Sequence, residues 1–182
     1  MFTGCNSTKN LSYLALSPKI DLHSNEKRLQ KSIKVAVPFS SMYVDTQYIY
    51  YKNSHEVLPF RDSRWIETPL KVIHRTLIDT IKKSNRYDTV ANLQSNIHSD
   101  LLLESSVNSF MYDLKNSQVI LKMDLNLIDR TKMKVVKRLE VEMEEKVLDN
   151  SATGVAVAFE NVLSQMSKRV QEWISVSQKE EQ

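Results

Sequence analysis

Four histidines, one cysteine and one carboxylate-rich stretch are the residues in this chain that could do chemistry. A zinc site needs His, Cys or carboxylate partners at short fixed spacings. His23, His55, His74 and His98 have none at those spacings. His74 falls one position past the apolar Ile73 on a predicted helix and reads as a surface or boundary histidine. Gly4 and Gly154 belong to no phosphate-cradling loop and to no G-x-S-x-G elbow. Cys5 could be a nucleophile, a point of attachment or a chance residue. Nucleophilic catalysis requires a base held in register with the thiolate, and a short polar segment near a terminus does not hold one. The run "EVEMEEKVLD" (140–149) is acidic, but alternation throws its carboxylates onto one wet strand face. No catalytic residue, metal or cofactor is expected, and the chain reads as a non-enzyme.

The elements must then position surfaces rather than reacting groups. The chain has 182 residues, 41% hydrophobic and 26% charged, with a net charge of +3. That is enough for one domain with a real core. No apolar run reaches the roughly 18 residues of a membrane span. No basic segment followed by an apolar stretch precedes Cys5, so an exported form would have lost its signal. One cysteine forms no intrachain disulfide. The densest basic stretch, "KMKVVKRLEVEMEEK" (132–146), passes straight into glutamates and reads as a solvated strand face. A nucleic-acid partner would favour a concentrated basic face, and none is expected.

Periodicity sets out the elements. "LSYLAL" (11–16) is a candidate first strand, and "SPKIDLHSNEKRLQKS" (17–32) reads as a loop. "IKVAVPF" (33–39) alternates, which predicts Ile33, Val35, Val37 and Phe39 on one face, with Pro38 marking an edge or an end. Strands at 47–52 and 55–60 flank "NS", a hairpin turn. Thr68 and Pro69 begin a helix in which Leu70, Ile73, Leu77 and Ile81 share a face. Lys82 and Lys83 lie near its end, where the helix dipole favours cations. Residues 101–114 read as a strand with a bulge.

"VILKMDLNL" (119–127) is the cleanest alternation in the chain, and Leu139, Val141 and Met143 repeat it. Two long strands with one polar face argue for an antiparallel sheet covered on one side. Phe159, Val162, Leu163, Met166, Val170, Trp173 and Ile174 form a helical stripe. Burying it on the sheet would contribute on the order of 10–20 kcal/mol before entropy is subtracted. The expected class is α+β: a mainly antiparallel, twisted sheet with two principal helices packed on one face. The expected organisation is a short tether over 1–10, a single domain over 11–177 and a polar tail over 178–182.

The stretch from "VAVPFSSMYVDTQYIYYK" through "WIETPLKVIHRTLIDTIKKSNRYDTV" resembles the ABC-type transport auxiliary lipoprotein family, which includes paraquat-inducible protein C. The shared features are Val37-Pro38 ending a strand, the Tyr48–Tyr51 hairpin, Trp65 with Pro69 at the helix start, and Tyr87 to Val90. "GVAVAFENVLSQMSKRVQEWI" is similar to the family's closing helix. The likeness spans roughly 11–175 and rests on many weakly specific positions. It implies that "FTGC" is the end of a lipobox, with Cys5 acylated and anchoring the chain to a membrane. Asn6 rather than Asp after the cysteine leans toward the outer membrane.

The resemblance further implies an ABC permease and ATPase, and a mammalian-cell-entry (MCE) protein, as partners. The cargo would be phospholipids or other hydrophobic compounds moved across the periplasm, and docking could include copies of the chain itself as a homo-oligomer. Tyr48, Tyr50, Tyr51 and Trp65 are the aromatic interface candidates. Packing between hairpin and first helix is the alternative for each, and is the favoured reading for Trp65. Alternative functions are a periplasmic lipid carrier, and a lipoprotein that assembles or plugs an outer-membrane barrel.

Overall fold

The computed structural model describes residues 10–21 and 28–175. Cys5 and the tail at 178–182 lie outside them. In chain order the elements are β1 (Ser12–Leu14), β2 (Leu29–Val35), β3 (Phe39–Ser40), β4 (Tyr48–Asn53), β5 (Glu56–Trp65), α1 (Pro69–Lys83), β6 (Tyr87–Asn92), β7 (Leu101–Asp113), β8 (Gln118–Asp129), β9 (Lys134–Lys146) and α2 (Ala152–Ser175).

Strand β7 organises the sheet. One of its edges pairs antiparallel with β8, and β8 pairs antiparallel with β9. Its other edge is taken in succession by β2, β3 and β4, each running parallel to it. β6 joins β2 in parallel, β5 returns antiparallel to β4, and β1 runs parallel to β5. The sheet is therefore mixed, which corrects the expectation of a mainly antiparallel one. Hydrophobic alternation reports which face a residue takes and is silent on the direction of the neighbouring strand. Parallel neighbours need a crossover of a dozen residues or more, and α1 lies on the crossover that brings β6 back beside β2.

Both helices form with the expected faces. Leu70, Ile73, Leu77 and Ile81 of α1 are buried, and α1 packs on β2, β6 and α2. Pro69 stands at the start of α1, where its missing N–H costs nothing. The Thr68 hydroxyl makes no cap bond and instead donates to Asp45 Oδ1 at 3.0 Å. The stripe of α2 packs on β8 and β9, with Phe159, Val162, Leu163, Met166, Val170 and Ile174 buried. Phe159 makes the tightest junction. Its ring stacks on Phe110 of β7 at 4.1 Å and meets Trp65 of β5 edge-on at 5.9 Å. Trp173 is half-buried, and its indole N–H donates to the Arg138 carbonyl on β9 at 3.0 Å.

Two one-residue slips decide which side chains reach this core. Val107 pairs with Met123 but Ser109 with Lys122, so Asn108 is an extra residue on β7. This bulge places Leu101, Leu103 and Val107 on the same buried side as Phe110 and Tyr112. The second slip separates β2 from β3. Val35 pairs with Leu103 and Phe39 with Ser106, so four steps along the chain match three on β7. One added residue turns the following side chains to the other face. Ile33 and Val35 are fully buried as expected, whereas Val37 is 45% and Phe39 79% exposed. Phe39 is thus removed from the core to which alternation assigned it. The strand also begins earlier than expected, at Leu29, and the hairpin turn falls on Ser54-His55, with Ser54 at φ 56°.

The start of β7 is tied to β2 by Asp100. Its Oδ2 accepts from the Ser32 backbone N–H at 2.7 Å and from the Ser32 hydroxyl at 2.8 Å. These bonds hold the Asp100 carboxyl below its ordinary value. A depressed native pKa stabilises the fold above the unfolded value of about 3.9, and that stabilisation is lost as pH falls through the native value. Urea denaturation of Asp100→Asn, compared with the parent across the acid range, should show a shallower loss of stability below about pH 4. Trp65→Ala should cost about 3–5 kcal/mol in the same assay at neutral pH.

Candidate functional site

Because both helices lie on one side, none of the described residues forms a layer over the opposite face of the sheet. Tyr48 and Tyr50 project onto this outer face, while Ile49 between them is fully buried. Their rings lie 6.0 Å apart. Phe39 follows on the same edge of β7, opposite the outward Ser106. The three aromatics thus form a row along one side of β7, with Phe39 the most exposed at its end.

The hairpin that carries the tyrosines is locally distorted. Tyr48 pairs with Arg64 and Tyr50 with Pro59, so β5 holds three extra residues in a wide bulge. Arg64 closes it. One guanidinium nitrogen donates to the carbonyls of Phe60, Arg61 and Ser63 at 2.8, 3.3 and 2.7 Å. The same group sits 4.2 Å from the centre of the Tyr48 ring, a cation–π contact that fixes the ring's orientation. A preset aromatic loses little entropy when a partner covers it.

Beside this row the outer face is polar. Lys122 of β8 pairs with Glu142 of β9, both half-exposed or more, so the pair contributes little to stability. Asp124 lies opposite Glu140, two like charges in register. The bulged Asn108 relieves Asp124 by donating its amide at 2.6 Å, and the Tyr43 hydroxyl in turn donates to the Asn108 carbonyl at 3.0 Å. Two open grooves flank Lys122. One, of about 520 Å³, is lined by Asn108, Asp124, Glu140 and Glu142. The other, of about 420 Å³, has an apolar floor of Val57, Met111 and Ile120 beside Lys52.

The remaining sequence candidates take other places. Tyr51 points inward and packs edge-on against Phe60 at 5.2 Å. Trp65 is 2% exposed and belongs to the core junction with Phe159, so packing is its realised role. Cys5 lies outside the described residues. His74 is half-buried with Nε2 3.3 Å from the Val35 carbonyl oxygen, a boundary position. Among the described residues no three His, Cys, Asp or Glu side chains gather as metal ligands. No described helix is long and apolar enough to cross a membrane. Phe39 is an exposed aromatic that periodicity missed, and Tyr13 of β1, 58% exposed beside Arg64, is another. For Phe39, Pro38 carried the available signal, since a proline at a strand end often marks a break in register.

The sequence model of the ABC-type transport auxiliary lipoprotein component family matches residues 14–171. Among curated proteins none matches the chain. A crystal structure of a DUF330-family protein from Xanthomonas campestris superposes with a TM-score of 0.79 at 17% identity, covering 89% of this chain and 94% of the other. A second, uncharacterised protein gives a TM-score of 0.72 at 13% identity, over 91% and 99% of the two chains. The PelC dodecamer from Paraburkholderia phytofirmans gives 0.52 at 10% identity, over 86% and 96%. At these identities the likeness is one of fold.

Arg64→Ala removes the clamp on the bulge and the cation beneath Tyr48. The expected result is a loss of about 1–3 kcal/mol in urea denaturation, with faster amide exchange confined to the β4–β5 hairpin. Lys at this position should restore it only in part, because an ammonium can reach the carbonyls but lacks the planar, delocalised cation that lies on the Tyr48 ring.

Proposed function

The chain belongs to the ABC-type transport auxiliary lipoprotein component family, and from that premise we propose that it is a docking subunit held at a membrane by acyl chains on Cys5. Each buried methylene contributes about 0.8 kcal/mol, so several acyl chains on one residue anchor a folded domain stably. The partners are the ABC permease and ATPase and an MCE-domain protein, and the cargo is phospholipid or another hydrophobic compound. Asn6 favours the outer membrane. The protein works by contact and catalyses no bond making.

The observation that carries the docking role is the row Phe39, Tyr48 and Tyr50 on a sheet face that no described element covers. Phe39 is 79% and Tyr48 43% exposed, and Arg64 pins the Tyr48 ring. Large aromatics held at low entropic cost are typical anchors of interfaces. The residues between helices and sheet are packed on one another, many with no exposure at all. That close packing favours docking over carriage of a lipid between those layers.

The test is a photo-crosslinking amino acid placed at Tyr48, and separately at Arg75 on the exposed side of α1, in cells. Adducts with an MCE-type or permease subunit, or with a second copy of the chain, are expected from position 48 and not from position 75. Adducts from position 75 alone would overturn the choice of face. Cys5→Ser should move the protein from the membrane fraction to the soluble periplasmic fraction on fractionation, and continued sedimentation with membranes would remove the anchor.

A further inference from the structure

Three turns meet at one end of the sheet: the β4–β5 hairpin, the β7–β8 turn and the β9–α2 loop. Leu114 N–H donates to the Lys52 carbonyl at 2.9 Å and Val147 N–H to the Ser117 carbonyl at 2.8 Å, which ties them side by side. The surface there carries apolar side chains that the described residues leave exposed. Leu148 is 98% exposed, Val57 46% and Leu58 39%. The charges at this end nearly balance. Lys52, Lys115 and Lys146 are matched in number by Glu56, Asp113 and Asp149 in these turns and their flanks. Two of the carboxylates are engaged within their own turns, Asp113 accepting from Asn116 and Asp149 from Ser151.

Followed backward, the described chain from Lys19 to Ser12 heads toward this same end, on two independent grounds. β1 runs parallel to β5, with Ser12 beside Ser63, and β5 starts at the hairpin turn. Going backward from Ser12 therefore means going toward that turn. The segment after β1 runs alongside α2 in the same direction. Ser17 N–H donates to Glu160 Oε1 at 2.8 Å and Lys19 N–H to Ser164 Oγ at 3.0 Å. Backward along this segment is toward the start of α2, next to Leu148.

We propose that this end faces the lipid bilayer, with Leu148, Val57 and Leu58 entering the interfacial layer of the membrane to which the chain is tethered. The inference rests on the reading of Cys5 as the anchor point and adds the orientation of the body. The chain between Cys5 and Asn10 reaches at most about 18 Å. The β8–β9 turn at the far end of the sheet is about 40 Å away, the length of the twelve residues of β8. Only one end of the body can therefore touch the bilayer at a time, and the tether selects it. Near-balanced charge assigns the contact to apolar insertion rather than attraction to anionic lipid. Interfacial segments of this kind sit about 5–10 Å deep.

Cys5 is the chain's single cysteine, so the purified full chain can be coupled through it to maleimide-bearing lipid in vesicles of phosphatidylethanolamine and phosphatidylglycerol. Leu148→Trp and, as a control, Met133→Trp at the β8–β9 turn (83% exposed) place reporters at opposite ends. Acyl-brominated lipids quench indoles that reach the bilayer. After subtraction of the parent emission, the Leu148→Trp signal should shift to the blue and lose most of its intensity, while the Met133→Trp signal stays unchanged. Equal quenching of both, quenching of the control alone, or quenching of neither would overturn the orientation, the last pointing to a protein partner for this end. Coupling in vitro fixes the tether regardless of acylation in cells. A failure here is therefore separate from a failure of the Cys5→Ser fractionation, which bears on the anchor itself.

Discussion

Phe159 lies between Trp65 and Phe110, and through that junction α2 grips the sheet from one side. A sheet needs one apolar face covered to be stable in water, and the stripe of α2 together with α1 supplies that cover. Once both helices lie on the same face, the other has no layer among the described residues. Its side chains must be compatible with water or with a partner. The alternation of β8 meets that demand, with Val119, Leu121, Met123, Leu125 and Leu127 inward and Lys122, Asp124 and Asn126 outward. Phe39 and Tyr48 depart from it, as do Tyr13 beside Arg64 and the apolar groove floor of Val57, Met111 and Ile120.

The open sheet brings a second constraint, its edges. β9 has thirteen residues and, among the described residues, no strand beyond it. Long unpaired edges invite association. Here the edge is blunted in two ways. Trp173 reaches around from α2 to occupy the Arg138 carbonyl, and Glu140, Glu142 and Glu144 keep the outer row charged. At the opposite side, Pro59 removes one donor from β5 and Arg64 occupies three of its carbonyls. The blunted edges at β9 and β5 and the exposed aromatic row are what the proposed docking to the sheet face rests on.

Periodic segments were legible in the sequence because each side chain's environment repeats along the element. The two helices, the hairpin, β8 and β9 follow from spacing alone, and so does the boundary position of His74. Strand direction was not legible. Alternation looks the same in parallel and antiparallel neighbours, so a mainly antiparallel sheet was expected and the parallel pairing of β7 with β2, β3 and β4 was not foreseen. Phe39 was misplaced for a related reason: a single added residue at Ala36–Pro38 inverts every later face, and composition does not register it. Trp65 could be anchor or core from sequence alone, and only the position of Phe159 decides. Leu148 was invisible, since an isolated leucine in a loop carries no periodic signal.

The claim at the centre is that the uncovered side of the sheet is where this protein meets its partners. Hydroxyl-radical footprinting in native envelopes, compared with the isolated protein, tests it directly. Phe39 and Tyr48 should be protected in the assembled system, with the exposed side of α1 at Lys71, Arg75 and Lys82 labelled equally in both. Protection of α1 with undiminished labelling of Phe39 and Tyr48 would contradict the account.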